Sequence, residues 1–204
     1  MASNSKICIF ASGDGSNFEA IVEAARSQRL YASVCGLIVN KHGIRALARA
    51  ARLQIPAEVI SRKDFGTAED WNRALCKQAQ AWQANWIVLA GFTGLIGSHL
   101  LQAYPNRIVN SHPSLLPKFG GKGMYGNNVH AAVVAAGEVE SGITVHLLNE
   151  RFDEGPILAQ HRVALRPGDT AETLAERIKC EERKFYPEAL QDLLTGRIKK
   201  HTTP

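Results

Sequence analysis

The stretch KICIFASGDGSNFEAIVEAA, from Lys6 to Ala25, changes its periodicity halfway along. Lys6 to Ala11 is short, rich in β-branched residues and nearly all apolar, the pattern of a strand buried on both faces. From about Asn17 to Ser27 the apolar residues recur at helical spacing. Between the two lies a tight turn of glycines and small polar residues. Strand, glycine turn and helix in that order open a parallel sheet, because only a crossover returns the chain to lay a second strand alongside the first.

The alternation continues. SVCGLIVN reads as a second strand, IRALARAARL as a second helix and AEVI as a short third strand. A long helix covers about Thr67 to Gln83, with Thr67 as its N-cap and Glu69 and Asp70 in the first turn. ANWIVLAG is the fourth strand and RIVNSH the fifth. The order predicts an α/β fold with a doubly wound, mostly parallel sheet and helices on both faces. The second half differs. PSLLPKFGGKGMYGNN is rich in Pro and Gly and reads as a long ordered loop, followed by a helix near Val129 to Ala136. SGITVHLLN and GPILAQHRVAL are strands separated by the turn ERFDEG. A last helix runs from about Thr170 to Thr195, with Pro187 marking a place for a bend. No repeat, low-complexity segment or linker interrupts the chain, so residues 1–204 are expected to form one domain, with a disordered tail at 198–204.

Composition is ordinary for a globular protein: 204 residues, 45% apolar and 21% charged, with a formal net charge of +5. No apolar stretch approaches the roughly 18 residues of a membrane helix, and MASNSK does not read as a signal peptide. The basic residues are spread along the chain and cluster only in GRIKKHTTP. That argues against nucleic acid and fits attraction of small anions. Cys8, Cys35, Cys76 and Cys180 form no CxxC pair, so they read as free thiols in a reducing, cytoplasmic setting. No His or Cys spacing suggests a metal.

Three ligands compete for the glycine turn: a dinucleotide, a phosphate group or none. A dinucleotide loop needs a third glycine where Phe18 stands, and an acidic residue after the second strand where Asn40 stands. A P-loop needs Gly-Lys-Ser/Thr, which is missing. What remains is a helix N-terminus with free N–H groups at Gly15, Ser16 and Asn17, suited to a phosphate monoester. A turn selected only for its shape, capped by Ser16 or Asn17, stays open on this evidence.

NSHPSLLP follows the fifth strand, where open α/β sheets bind ligands. Asn110 and His112 are two apart, and Pro113 favours an extended His112, so both side chains point the same way. An amide and an imidazole there suit acyl transfer, in which donors stabilise the negative carbonyl oxygen. A free imidazole is mostly neutral at pH 7, and a nearby carboxylate favours the cation. Asp153 in ERFDEGP is the best candidate. His146, alternating with apolar residues in ITVHLLN, reads as a core residue.

Together, SGDGSN, VLAGFTGLI, NSHPSLLP, GITVHLLNERFDEGPILAQ and IKCEERKFYP resemble the phosphoribosylglycinamide formyltransferases of purine biosynthesis over nearly the whole chain. The resemblance implies a single domain with a formyltransferase (Rossmann-like) fold, ribonucleotide-binding in its N-terminal half and folate-binding and catalytic in its C-terminal half. It implies a transferase that moves the formyl group of 10-formyltetrahydrofolate, a co-substrate, to the amine of glycinamide ribonucleotide, without metal. Asn110, His112 and Asp153 match the catalytic trio. Gly15, Ser16 and Asn17 match the 5′-phosphate site, and Lys179 and Glu182, three apart on one helix face, match contacts to the substrate's ribose and phosphate end. Thr93, Gly94, Leu95 and Ile96 match the pterin pocket, with Asn149 and Glu150 in the turn that closes it. Two departures stand out: Thr93-Gly94 replaces a common Met-Arg, and Ala68 stands where many members carry Arg, leaving Arg62 or Lys63 to reach the anion. Lys122, in the glycine-rich loop, is a further possible ligand contact.

The resemblance implies small-molecule substrates, no nucleic acid, no membrane, and a monomer or homodimer. A formyltetrahydrofolate hydrolase would use the same Asn, His and Asp with water as acceptor, but that group usually carries an extra N-terminal domain. Methionyl-tRNA formyltransferases usually carry an extra C-terminal one. Both lack a clear GSN phosphate loop. A non-catalytic nucleotide-binding protein would keep the glycine loop without needing all three of Asn110, His112 and Asp153.

Overall fold

The structure is a computed structural model that describes residues 5–198. Residues 199–204 of the expected tail lie outside the described range. Seven strands join in one sheet, with the third strand at one edge followed by the second, first, fourth, fifth, sixth and seventh. The chain divides into two compact units, residues 1–109 and 110–204, and the fifth strand crosses from one to the other.

In the first unit β1 (Ser5–Ala11) leads through α1 (Ser16–Arg26) to β2 (Ala32–Val39), then α2 (Arg45–Arg52) to β3 (Ala57–Val59). A single 3-10 turn, Arg62–Asp64, precedes α3 (Ala68–Ala81), β4 (Trp86–Leu89) and α4 (Ser98–Ala103). β1 pairs in parallel with β2 on one side and β4 on the other, and β2 pairs in parallel with β3. The chain thus steps outward from β1 to β3 and then returns to the opposite side of β1. With right-handed crossovers, that reversal puts α1 and α2 on one face and α3 on the other. The packing agrees: α1 lies against α2, and α3 against α4. Ile7, Ile9 and Phe10 of β1 are fully buried, as expected of a strand covered on both faces.

The helix ends follow local chemistry. Thr67 caps α3, its hydroxyl accepting the Asp70 N–H at 3.1 Å. Gln28, Gln54 and Gln83, just beyond three helices, take the left-handed conformation that ends a helix. α4 is not among the helices expected from the sequence, because its six residues are too few to show periodicity.

The second unit holds the end of β5 (Ile108–His112), a loop, α5 (Asn127–Ala135), β6 (Glu140–Leu147), β7 (Ile157–Ala164) and α6 (Ala171–Leu194). β6 and β7 form an antiparallel hairpin whose register shifts by one residue between Val145 and His146. Bulges of this kind re-aim side chains. Val133, Ile143, Val163, Leu174 and Ile178 make a buried cluster, with Phe119 and Phe185 packed against it. Thr170 and Thr173 form a reciprocal capping box at the start of α6, and the helix runs through Pro187 without ending.

Candidate active site

In the first unit, two loops leave the carboxyl ends of β1 and β4, where the order of strands reverses. Such switch points are where open α/β sheets bind ligands. The loops are tied together: Ser12 donates its N–H to the Gly91 carbonyl at 3.2 Å, and Thr93 donates its N–H to the Ser12 hydroxyl at 2.9 Å.

Gly15 is the N-cap of α1 and sits at φ +78°, with no side-chain cap. A Cβ there would lie 2.7 Å from the Ala46 Cβ, so the turn can close against α2 only with glycine. Neither Ser16 nor Asn17 caps the helix, which leaves the first-turn N–H groups to other partners. The Asn17 Oδ1 is buried without a hydrogen-bond partner among the described residues. Arg49 braces the turn from α2, donating to the Asp14 carbonyl at 2.9 Å and the Asp14 carboxylate at 2.8 Å, and pairing with Glu19.

The second loop contains Thr93, Gly94, Leu95 and Ile96. A Cβ at Gly94 would lie 2.3 Å from the Trp71 ring and 2.6 Å from Phe92. Trp71 stacks on Phe92 at a centroid distance of 6.0 Å, and its indole N–H donates to the Ile60 carbonyl at 2.8 Å. The indole therefore takes the space a larger side chain would need, which gives the Thr93-Gly94 departure a packing reason. Asn72 holds the loop's end, accepting from the Gly97 N–H at 2.7 Å and donating to the Leu95 carbonyl at 3.3 Å. Ala68, Arg62 and Lys63 are exposed, and Arg62 donates to the Phe65 carbonyl at 2.6 Å.

In the second unit, Asn110, His112, His146 and Asp153 converge. The His146 Nδ1–H donates to the Leu147 carbonyl at 3.0 Å. Burial lowers the pKa of this imidazole and keeps the ring neutral. Its Nε2 is then an acceptor, and it takes an N–H from Asn110 at 3.1 Å. That bond fixes which end of the Asn110 amide is nitrogen.

His112 is held from both sides. Its Nε2 lies 2.8 Å from the Phe119 carbonyl, which can only accept, so Nε2 carries a hydrogen. Its Nδ1 faces the Asp153 Oδ2 at 3.5 Å, while the Asp153 Oδ1 lies 3.6 Å from His146. The Nε2–H is committed to that carbonyl, and Nδ1 is the ring nitrogen turned to the carboxylate. Asp153 also accepts the Gly121 N–H at 2.9 Å. Phe119 and Asp153 are the non-glycine residues of this unit with positive φ, 56° and 55°, among the described residues. Left-handed backbone at such residues stores strain, and here both strained residues grip His112.

The loop after His112 is fixed by the hairpin. Thr144 donates its hydroxyl to the Ser114 carbonyl at 2.7 Å and accepts from the Leu116 N–H at 3.0 Å and the Gln160 amide at 2.9 Å. Thr144 and His146 are two apart on β6, polar positions in a buried strand. That alternation was legible in SGITVHLLN. It marks a polar face, but not its partners.

Lys179 and Glu182 are engaged with other partners. Ser111 alternates with Asn110 and His112 on β5, and its hydroxyl donates to Glu182 at 2.5 Å. Lys179 pairs with Glu176 at 2.7 Å. His130, on α5, feels the charges of both Lys179 and His112. Burial above all, then these two, pushes its pKa down to about 4. Asn149 and Glu150 are exposed in the turn after β6, and the Asn149 side chain accepts the Arg151 N–H at 2.9 Å. Among the described residues, no group of three or more His, Cys, Asp or Glu is arranged to hold a metal ion, and no helix is long and apolar enough to cross a membrane.

A family model described as formyl transferase matches residues 5–190. The chain is 39% identical to phosphoribosylglycinamide formyltransferase of Bacillus subtilis (strain 168), over 93% of this chain and 94% of that protein. It is 38% identical, over 96% of its own length, to the trifunctional purine biosynthetic protein adenosine-3 of Drosophila pseudoobscura pseudoobscura, but spans only 14% of that protein. Among solved structures, glycinamide ribonucleotide transformylase 1 from Geobacillus kaustophilus superposes with a TM-score of 0.87 at 41% identity, covering 94% of this chain and 99% of that one.

Proposed function

The chain belongs to the formyl transferase family, and on that premise we propose that it transfers the formyl group of 10-formyltetrahydrofolate to the primary amine of 5′-phosphoribosylglycinamide, a step of de novo purine biosynthesis. The observation that carries this reading is the contact chain Asn110–His146–Asp153–His112, with each link at 3.1–3.6 Å. It combines an oriented amide donor, an imidazole facing a carboxylate and that carboxylate itself, the set that amine-to-formyl transfer needs.

The substrate amine attacks the formyl carbon, and negative charge grows on the formyl oxygen. An Asn amide nitrogen has two hydrogens. His146 holds one, and the other serves the oxyanion. His112, when it carries a second ring proton in the transition state, stabilises the same oxygen through space. As the new C–N bond forms and the C–N10 bond breaks, one proton leaves the attacking nitrogen and one reaches N10. Asp153, beside two imidazoles, is the group suited to relay it. No covalent enzyme intermediate is required, because a neutral amine is already a competent nucleophile. Alignment of the two substrates supplies a further large rate factor.

In this reading Gly15, Ser16 and Asn17 bind the 5′-phosphate, which suits a helix N-terminus with uncapped N–H groups. The half-buried Asn17 amide, whose Oδ1 is without a partner among the described residues, adds a donor when its nitrogen faces the anion. Thr93, Gly94, Leu95 and Ile96, with Asn149 and Glu150, serve the folate. Lys179 and Glu182 serve the ribose and phosphate end, for which they must exchange their present partners Glu176 and Ser111. The reaction is placed in the cytoplasm.

The test is spectroscopic. The protein, 10-formyltetrahydrofolate and the ribonucleotide are mixed and tetrahydrofolate release is followed. Release that requires the ribonucleotide is expected. Equal release without it would make the protein a hydrolase, and no release would make it a binding protein; either result overturns the proposal.

A further inference from the structure

Four cysteines without a pairing pattern are unremarkable in the sequence, but the first unit brings two of them together. In the β1–β2 ladder Ile7 pairs with Val34 and Cys8 with Gly36. Cys35 is therefore the extra residue of a β-bulge, and Cys35 and Gly36 together oppose Cys8. The Cys35 sulfur lies 3.3 Å from the carbonyl oxygen of Ile7, the residue next to Cys8. Adjacent strands are about 4.8 Å apart, within the Cα separation of roughly 4.4–6.8 Å that a disulfide spans. Both thiols are free, and nothing in the proposed chemistry uses them.

We propose that Cys35 and Cys8 form a peroxide-oxidisable thiol pair, a modification site that closes to a disulfide across β1 and β2.

The two sulfurs differ in the way such a pair requires. Cys35 is half-buried and can meet a small oxidant, whereas Cys8 is fully buried. The neighbouring Cys8 thiol lowers the Cys35 pKa, against the effect of burial, with the Lys6 ammonium adding to the lowering. Burial first, then the neighbouring sulfur, raises Cys8. The thiolate, the reactive form, is thus favoured at the accessible sulfur. Cys76, on α3, is buried and raised by that burial, and Tyr104 feels the charges of Cys76, Cys8 and Cys35. Cys76 is therefore the natural internal control.

In the first step the Cys35 thiolate attacks one oxygen of hydrogen peroxide. The O–O bond breaks, hydroxide leaves and Cys35 becomes a sulfenic acid. The Cys8 sulfur then attacks the Cys35 sulfur. The S–S bond forms as the S–O bond breaks, and the departing hydroxide takes the Cys8 proton and leaves as water. Two thiols lose two electrons and one peroxide is reduced. A dithiol reductant reverses the bond.

The experiment uses the intact protein, incubated under native conditions with hydrogen peroxide and then alkylated, digested with trypsin and weighed. A mass decrease of about 2 Da is expected, with the peptide Ile7–Arg26 joined to Leu30–Lys41 and released by dithiothreitol. Cys76→Ser should behave as the native chain. Cys8→Ala should stop at a sulfenic acid that dimedone traps on Cys35, and Cys35→Ser should give neither product. Any of three results overturns the proposal: Cys35 linked to Cys76, Cys35 oxidised beyond the sulfenic acid without a bond to Cys8, or Cys35 unmodified where a free small thiol is consumed.

Discussion

Replacing Asp153 by Asn removes one charge and almost nothing else. The Asn carbonyl can still accept the Gly121 N–H, now 2.9 Å from the Asp153 carboxylate, so the turn between β6 and β7 keeps its main tie. What is lost is the attraction between the carboxylate and the His112 ring at 3.5 Å. Two unit charges at that distance and an effective dielectric of about 20 interact by roughly 5 kcal/mol. Both side chains are mostly buried, 4% and 16% exposed, so solvent screens little of it. If the cationic form of His112 is needed in the transition state, the rate should fall by up to about three powers of ten. The relay of the amine proton through Asp153 would be lost as well. The fall should appear in kcat, with the KM of either substrate changing only a few-fold, because the interaction acts when charge develops. Steady-state kinetics measured by tetrahydrofolate release, beside a thermal melt within a few degrees of wild type, give the answer. A folded Asp153→Asn protein with kcat within tenfold of wild type would refute the assignment of charge to this pair.

Gly15→Ala should destabilise the protein by about 2 kcal/mol, from left-handed strain and the contact with Ala46, and raise the ribonucleotide KM more than the folate KM; an unchanged denaturation midpoint would show that the turn relaxes freely. Thr144→Val strands the Ser114 carbonyl and the Leu116 N–H and leaves the Gln160 amide only its bond to the Leu116 carbonyl, so a cost of about 3 kcal/mol is expected, seen as a melting point lowered by roughly 10 °C. A Thr144→Val melting curve that overlays the wild type would mean those groups find other partners. For His130, burial holds the folded pKa at about 4 against 6.5 when free. Between those values the unfolded chain binds a proton the folded chain does not, so stability rises with pH across the window and is complete above it. His130→Gln should flatten that part of a plot of urea midpoint against pH, and an unaltered slope would exclude His130 as its source.

Much of this molecule was legible in the order of its residues. The change from continuous apolar runs to helical spacing locates the strands and all helices except α4, and Thr67 announces the start of the helix it caps. Gly15 declared a turn, and the spacing of Asn110 and His112 put both side chains on one face of β5. These are local properties: periodicity, capping and turn conformation depend on neighbours within a few positions. His146 was read as a core residue. It is buried, but it also accepts a hydrogen bond from Asn110, 36 positions away. Phe119 gave no signal at all, because its part is played by a backbone carbonyl whose direction is set by a left-handed φ. The closeness of Cys8 and Cys35 likewise follows from strand register, which sets Ile7 opposite Val34. Local order of residues creates the faces. Which groups meet across them depends on strand register and loop closure, because these set distances between residues that share no local pattern.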